Sequence, residues 1–218
     1  MTFRFKASAA MAIVAAFSVA GCKSKGDIVV DQGIGITAVR GVCPAVGVPD
    51  YLGNVTTFTQ PGVKTLDALD VTAAITNVRS TCDDSGAQVY TEATFDVLAT
   101  RRDVAAARSV DLPYFVTVLQ GSSVVVTKQV GTVRVDFAAG SERGKGSARA
   151  GAYVDAAAAT LPAEIRERIT KKRKAGDEDA ALDPLADPEV KAAIARSTFE
   201  VLIGFQLTQE QLAYNATR

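Results

Sequence analysis

The chain of 218 residues contains no histidine and no tryptophan. Without histidine there is no Ser-His-Asp triad, no Cys-His pair, no imidazole general base and no imidazole metal ligand. Its two methionines, Met1 and Met11, both fall at the N-terminus, and it has three cysteines. Charge of one sign is lacking too: lysine plus arginine equals aspartate plus glutamate at 24 each. So even a balance excludes the strongly basic surface that nucleic acid requires. What is present is ordinary for a folded domain, with 48% hydrophobic and 22% charged residues,. Carboxylates, lysines, tyrosines and hydroxyls are the chemical groups that remain.

The N-terminus is organised as an export segment over residues 1–21. Arg4 and Lys6 precede an uncharged, mostly apolar run from Ala7 to Ala20. That run is shorter than the roughly 20 residues that span a bilayer and suits the apolar region of a secretory signal. It ends in Val19-Ala20-Gly21-Cys22, which resembles the lipobox of bacterial lipoproteins. The resemblance covers residues 1–22 alone. It implies cleavage before Cys22 and a covalent lipid on Cys22 as the anchor to a membrane, with no other cofactor expected. In the Gram-negative sorting scheme an aspartate after that cysteine retains a lipoprotein at the inner membrane. Lys23 stands there instead, which implies the outer membrane, facing the periplasm. Removal of Arg4 and Lys6 with the segment leaves 22 basic residues against 24 acidic, a net of −2.

Cys43 and Cys82 then remain, and two cysteines in an exported domain predict one disulfide. It closes a loop of about 40 residues, for which the chain-entropy model gives about 4 kcal/mol of stabilisation.

Residues 22–35 read as lipidated cysteine and tether, followed by a single domain over 36–210 and a C-terminal tail over 211–218. Short strand signals lie at Ile36–Val39 and Val55–Phe58. Val71, Ala73 and Ile75 alternate before Asp83-Asp84-Ser85-Gly86, and Val89 to Ala99 alternates after it, which predicts a hairpin with one buried face. A second hairpin is predicted over Leu112 to Val130, turning at Gln120-Gly121-Ser122-Ser123, with a separate strand at Thr132–Phe137. Gly140 to Gly146 reads as a flexible loop. Phe199, Val201, Ile203, Phe205 and Leu207 form a stripe at spacing two, the mark of a final strand. Before it, residues 155–197 read as a helical excursion: Leu161, Ile165 and Ile169 recur every four residues, Pro162 suits a first turn, Gly176 a helix end, and Asp187-Pro188 a cap and first turn. The pattern predicts a mainly β fold, an antiparallel sandwich of the immunoglobulin-like class with a helical insertion before the last strand.

Lys171-Lys172-Arg173-Lys174 is the single basic cluster and the candidate surface for an anionic partner such as lipid headgroups, lipopolysaccharide or a wall polymer. It also suits a helix C-terminus, and Asp177, Glu178 and Asp179 follow to neutralise it. Those acids, with Asp183 and Asp187, lack the spacing of a calcium loop, so no metal site is expected. Three functions stay open. The first is a non-catalytic module that holds an envelope protein or polymer. The second is a glycan hydrolase built on two carboxylates that meet only in space. The third is a small-molecule or lipid carrier with a large apolar cavity.

Overall fold

The computed structural model describes residues 38–174 and 176–217. The Val19-Ala20-Gly21-Cys22 motif, the export segment and the tether lie outside the described residues, as do Ile36 and Thr37. Ala38 and Val39 belong to no strand.

The protein is mainly β. Its strands are β1 (Ala45–Gly47), β2 (Asn54–Phe58), β3 (Leu69–Asp83), β4 (Gln88–Arg101), β5 (Arg108–Gln120), β6 (Val124–Phe137), β7 (Arg143–Asp155) and β8 (Phe199–Phe205). They form one sheet in the order β1-β8-β5-β6-β7-β4-β3-β2, antiparallel except for the parallel pair β1–β8. The sheet curls into a half-barrel. This corrects the expected two-sheet sandwich: alternation reports that one face of each strand is buried, not whether a second sheet or the same sheet covers it.

The curl follows from the connectivity. β1 and β2 are the opposite edges of the sheet, yet only residues 48–53 separate them. That short link brings the edges together, and the Phe205 N–H donates to the Leu52 carbonyl at 2.7 Å across the meeting point. The predicted disulfide is formed between Cys43, just before β1, and Cys82, at the end of β3, with Cα atoms 6.1 Å apart. It therefore ties the segment leading into one edge to the strand beside the other.

The inside of the curl is packed. Ala93, Phe95, Val97 and Ala99 of β4 pack with Leu112, Val116 and Val118 of β5, Val133 and Val135 of β6, and the predicted stripe Phe199, Val201, Ile203 and Phe205 of β8. At one end Arg101 is 2% exposed and plugs the opening. The β3–β4 hairpin turns as expected, with the Asp83 carboxylate accepting from the Ser85 N–H (3.0 Å) and hydroxyl (2.7 Å),. The β5–β6 turn rests on left-handed Gly121 (φ 60°) and Ser122 (φ 61°),.

Three expectations differ. β6 is one strand where two were expected. Residues 143–146, expected as loop, begin β7. The expected tail instead holds α4 (Gln209–Ala216), after the helices α1 (Ala156–Ala159), α2 (Ala163–Thr170) and α3 (Pro188–Ser197). A reciprocal pair of bonds between Thr208 and Gln211 caps α4,. Asn215 then donates to the Tyr51 and Asn54 carbonyls, 2.8 Å each, which docks the helix on the β1–β2 link.

The helical excursion has its own small core of Ile165, Ile169, Val190 and Ala193. Asp187 caps α3 through the Glu189 and Val190 N–H groups, with Pro188 at the first helical position as predicted. Pro162 lies at the N-cap of α2 rather than in its first turn, and α2 ends at Thr170, short of Gly176. The excursion sits at the end of the curl opposite Arg101, where the Gln120 amide donates to the Arg196 carbonyl at 2.6 Å and the Ala156 N–H to the Ala87 carbonyl at 3.0 Å.

Candidate functional site: a split between two strands

Every neighbouring pair in the sheet shares an extended ladder except one. Among the described residues β6 and β7 share a single paired position, Asp136 with Lys145. There the backbones lie very close. A Cβ on Gly144 would stand 2.8 Å from the Asp136 carbonyl oxygen, and one on Gly146 would run into the Arg134 carbonyl,. Beyond that contact the ladder stops. Among the described residues β6 continues back to Val124 paired with β5 alone, and β7 continues to Asp155 paired with β4 alone.

A side chain bridges the split where backbone bonds end. Tyr114 of β5 is 9% exposed and runs beneath Gly131 of β6, where a Cβ would lie only 2.6 Å from the phenol ring. Its hydroxyl donates to the Arg149 carbonyl of β7 at 3.1 Å, and its ring meets Phe95 edge-on at 5.1 Å,. The Arg149 carbonyl thus points into the split, away from β4.

The two banks of the split share a composition. On β6, Val124, Val125, Val126 and Val130 are 54–62% exposed. Lys128 pairs with Thr117, whose neighbours Val116 and Val118 are in the core, so Lys128 projects outward; its ammonium lies 5.1 Å from the Phe115 ring,. On β7, Arg149 pairs with Thr94 between core residues Ala93 and Phe95 and projects outward likewise. Tyr153 packs against Tyr90 at 4.7 Å. No carboxylate occurs from Val124 to Thr132 or from Gly146 to Val154.

Next to the β7 bank lies a shallow depression of about 300 Å³ lined by Asn77, Thr94, Phe95, Asp96, Ser147, Ala148 and Arg149. A bulge in β3 places Asn77 there in the left-handed region, φ 51°,. The Asp96 carboxylate accepts from Ser147 (2.6 Å) and Asn77 (3.0 Å) and pairs with Lys145 (3.2 Å). These donors, Ser147 first, hold its pKa down to about 2,. Such a carboxylate is ionised and fully engaged at neutral pH, the reverse of a general acid. Asp83, Asp111, Asp179 and Asp187 are also held below the usual range, by Ser85, Arg134, Lys171 and the Glu189 backbone respectively.

A folded pKa depressed from 3.8 to about 2 makes Asp96 stabilising above the higher value, with the contribution lost as pH falls through the lower,. The stability of the native chain is therefore expected to fall between about pH 4 and 2, and Asp96→Asn to flatten that part of the profile,. Urea melts at stepped pH check this. An unchanged slope in Asp96→Asn would assign the acid sensitivity to other carboxylates.

No family model, no curated protein and no solved structure matches the chain. The site is therefore read from its own geometry.

The basic cluster is largely folded upon itself. Lys171 pairs with Asp179 at 2.9 Å, and Arg173 is 6% exposed and turns inward, donating to Asp179 (3.2 Å) and to the Arg168 carbonyl (3.3 Å). Lys171, Lys172 and Lys174 reach the surface; Arg173 does not. Among the described residues no three Cys, Asp or Glu side chains gather as metal ligands, and no helix is long and apolar enough to cross a membrane. The sequence reading did not find the split. Its signals were the unalternating Val124-Val125-Val126 and the glycines that face tyrosines, Gly131 under Tyr114 and Gly151 under Tyr90.

Proposed function

We propose that the protein is a lipid-anchored envelope lipoprotein that works as a non-catalytic binding or assembly module, held at the outer membrane through Cys22 and facing the periplasm. The observation that carries the binding role is the split: two unpaired strand edges, one bearing exposed valines, beside a curl whose interior is already filled by its own side chains. An exposed apolar edge is a hazard in a protein that works alone and a docking template in one that works with a partner. The Cys43–Cys82 bridge supports an oxidising compartment, as expected beyond the inner membrane,. The depressed carboxylates favour binding over hydrolysis, and the packed interior favours it over a carrier with a large apolar cavity.

The test has two arms. The intact mass of protein extracted from membranes is expected to show acylation at Cys22, and Cys22→Ser is expected to lose that mass and appear in the soluble fraction. A photo-crosslinking residue at surface positions of the sheet is expected to trap a defined envelope component. A Cys22→Ser protein that stays membrane-bound at full strength would overturn the anchor, and the absence of any trapped component from all positions would overturn the module.

A further inference from the structure

We infer that the split between β6 and β7 receives an extended segment of a partner protein, which adds to the β6 edge as a strand and carries acidic side chains on its outward face. This deepens the binding reading above and rests on it.

The backbone sets the form of the partner. From Val124 to Thr132, β6 is laddered to β5 along one side and to nothing described along the other. Its free side offers main-chain donors and acceptors at strand spacing, which an extended chain satisfies and a helix or flat glycan does not. The far bank repeats the offer, since the Arg149 carbonyl points into the split and is met there by one phenol rather than by a strand. The wedge is closed at one end by the Asp136–Lys145 pair and the glycine contacts, which limits how far an incoming strand can travel and so fixes its register.

The side chains set the chemistry. Val124, Val125, Val126 and Val130 stand more than half exposed along the edge, an arrangement that asks for apolar cover,. The charges on the two banks are of one sign. Lys128 and Arg149 both face outward, and neither bank holds a carboxylate. Beside the β7 bank, Asp96 is paired with Lys145 and bonded to Ser147 and Asn77, and Glu92 on β4 accepts from the Tyr90 hydroxyl at 3.3 Å. A strand entering the wedge therefore meets, on its outward side, two cations with no carboxylate on either bank, and carboxylates there gain cross-strand pairing,. A second copy of β6 fits less well. Antiparallel self-pairing centred on Thr127 sets the two Lys128 side chains diagonally on one face, where they repel.

The experiment uses the full-length, disulfide-bonded protein in detergent with two blocked synthetic peptides of alternating valine and threonine, one with glutamate and the other with lysine in place of every second valine, so that charge faces Lys128 and valine faces Val126 and Val130. The glutamate peptide is expected to bind in fluorescence titration and to slow amide exchange over residues 124–132. The double variant Lys128→Glu with Arg149→Glu is expected to weaken it by about tenfold and to reverse the preference toward the lysine peptide. Both positions are exposed, and an unchanged thermal midpoint checks that the fold is kept. Protection at the outer edges β1 or β2 instead of β6, equal binding of both peptides, or indifference to charge reversal would each overturn the inference. So would a native β6 edge already protected by the N-terminal tether of the same chain or by a second copy. A component trapped in the envelope from other faces, with none from Val126, would leave the module standing and this inference refuted.

Discussion

Arg101→Met is expected to cost about 3–5 kcal/mol of unfolding free energy, because it removes a buried charged plug that donates to four backbone carbonyls,. The guanidinium closes one end of the curl from inside. Its Nε donates to the Ser141 carbonyl at 2.9 Å, one terminal nitrogen to Ala106 at 2.6 Å, and the other to Ala138 at 2.8 Å and Val104 at 3.4 Å. It also lies 5.1 Å from the Phe137 ring. These acceptors belong to two loops, residues 102–107 and 138–142, which the Gly140 N–H also joins by donating to the Val104 carbonyl at 2.7 Å. Methionine keeps much of the volume, and the Val104 and Ala138 carbonyls keep the Gly140 and Ser141 N–H groups, but the Ser141 and Ala106 carbonyls lose the guanidinium donor where water does not easily reach a position 2% exposed,. Arg101→Lys is expected to recover only part of the loss, since one ammonium cannot span acceptors that a planar fork reaches on several sides. Arg102→Met is the control: among the described residues its ion pair is with the fully exposed Asp67 at 3.9 Å, and the change is expected to stay within about 0.5 kcal/mol,. Denaturant melts of the three variants decide it. A loss under about 1 kcal/mol for Arg101→Met would mean that the loops hold themselves and the arginine merely fills space.

Arg101 also shows where the sequence could have been read further. The alternation Val89, Thr91, Ala93, Phe95, Val97, Ala99 places every odd residue of β4 inside, and one more step reaches Arg101. The period does not stop at the charge: it continues to Arg101, and a buried polar end is built around it. Other elements were legible for the same periodic reason: the stripe of β8, the β3–β4 hairpin, the Asp187-Pro188 start of α3. What failed was whatever depends on a distant neighbour. Gly144 and Gly146 look like loop residues because they carry no side chain, but they are bare because β6 crosses against them. The helix at Gln209–Ala216 has no buried residue, so it left no apolar stripe to read, and it is held by Asn215 reaching two carbonyls more than 160 residues earlier. The number of sheets was not legible either, since it depends on residues 48–53 folding two sheet edges together. Of the candidate site residues, Cys43 and Cys82 were found because a disulfide needs only two thiols and a compartment. Lys171 to Lys174 were found as a charge run, but the run is turned partly inward by Asp179, a contact that spacing does not reveal.

The double variant Cys43→Ser with Cys82→Ser is expected to lose about 4 kcal/mol, the loop-closure entropy for a separation of 39 residues,. Both cysteines are exposed in the fold, so their sulfurs contribute little packing and the effect acts mainly on the unfolded chain,. That separates it from the Arg101 effect, which acts on the folded state. The denaturant slope distinguishes the two: removing a cross-link lets the unfolded chain expand and raises m, while Arg101→Met leaves m unchanged. Against a typical total of about 5–15 kcal/mol, the loss brings a protein of this size close to its unfolding limit at growth temperature. Reductant is expected to do to the native chain what the two serines do, since the bridge is accessible. The position of the bridge gives the loss a structural counterpart. It ties the approach to β1 to the far half of β3, which runs beyond the short strand β2, so the sheet's two edges would then be held together by the Phe205–Leu52 bond and by α4 on the β1–β2 link. Amide exchange in the double variant is therefore expected to rise first at β1, β2 and the outer half of β3, before the β4–β7 and β5–β6 ladders. Uniform exchange at the global rate would show instead that the curl opens only when the whole domain unfolds, and that the disulfide acts through the unfolded chain alone.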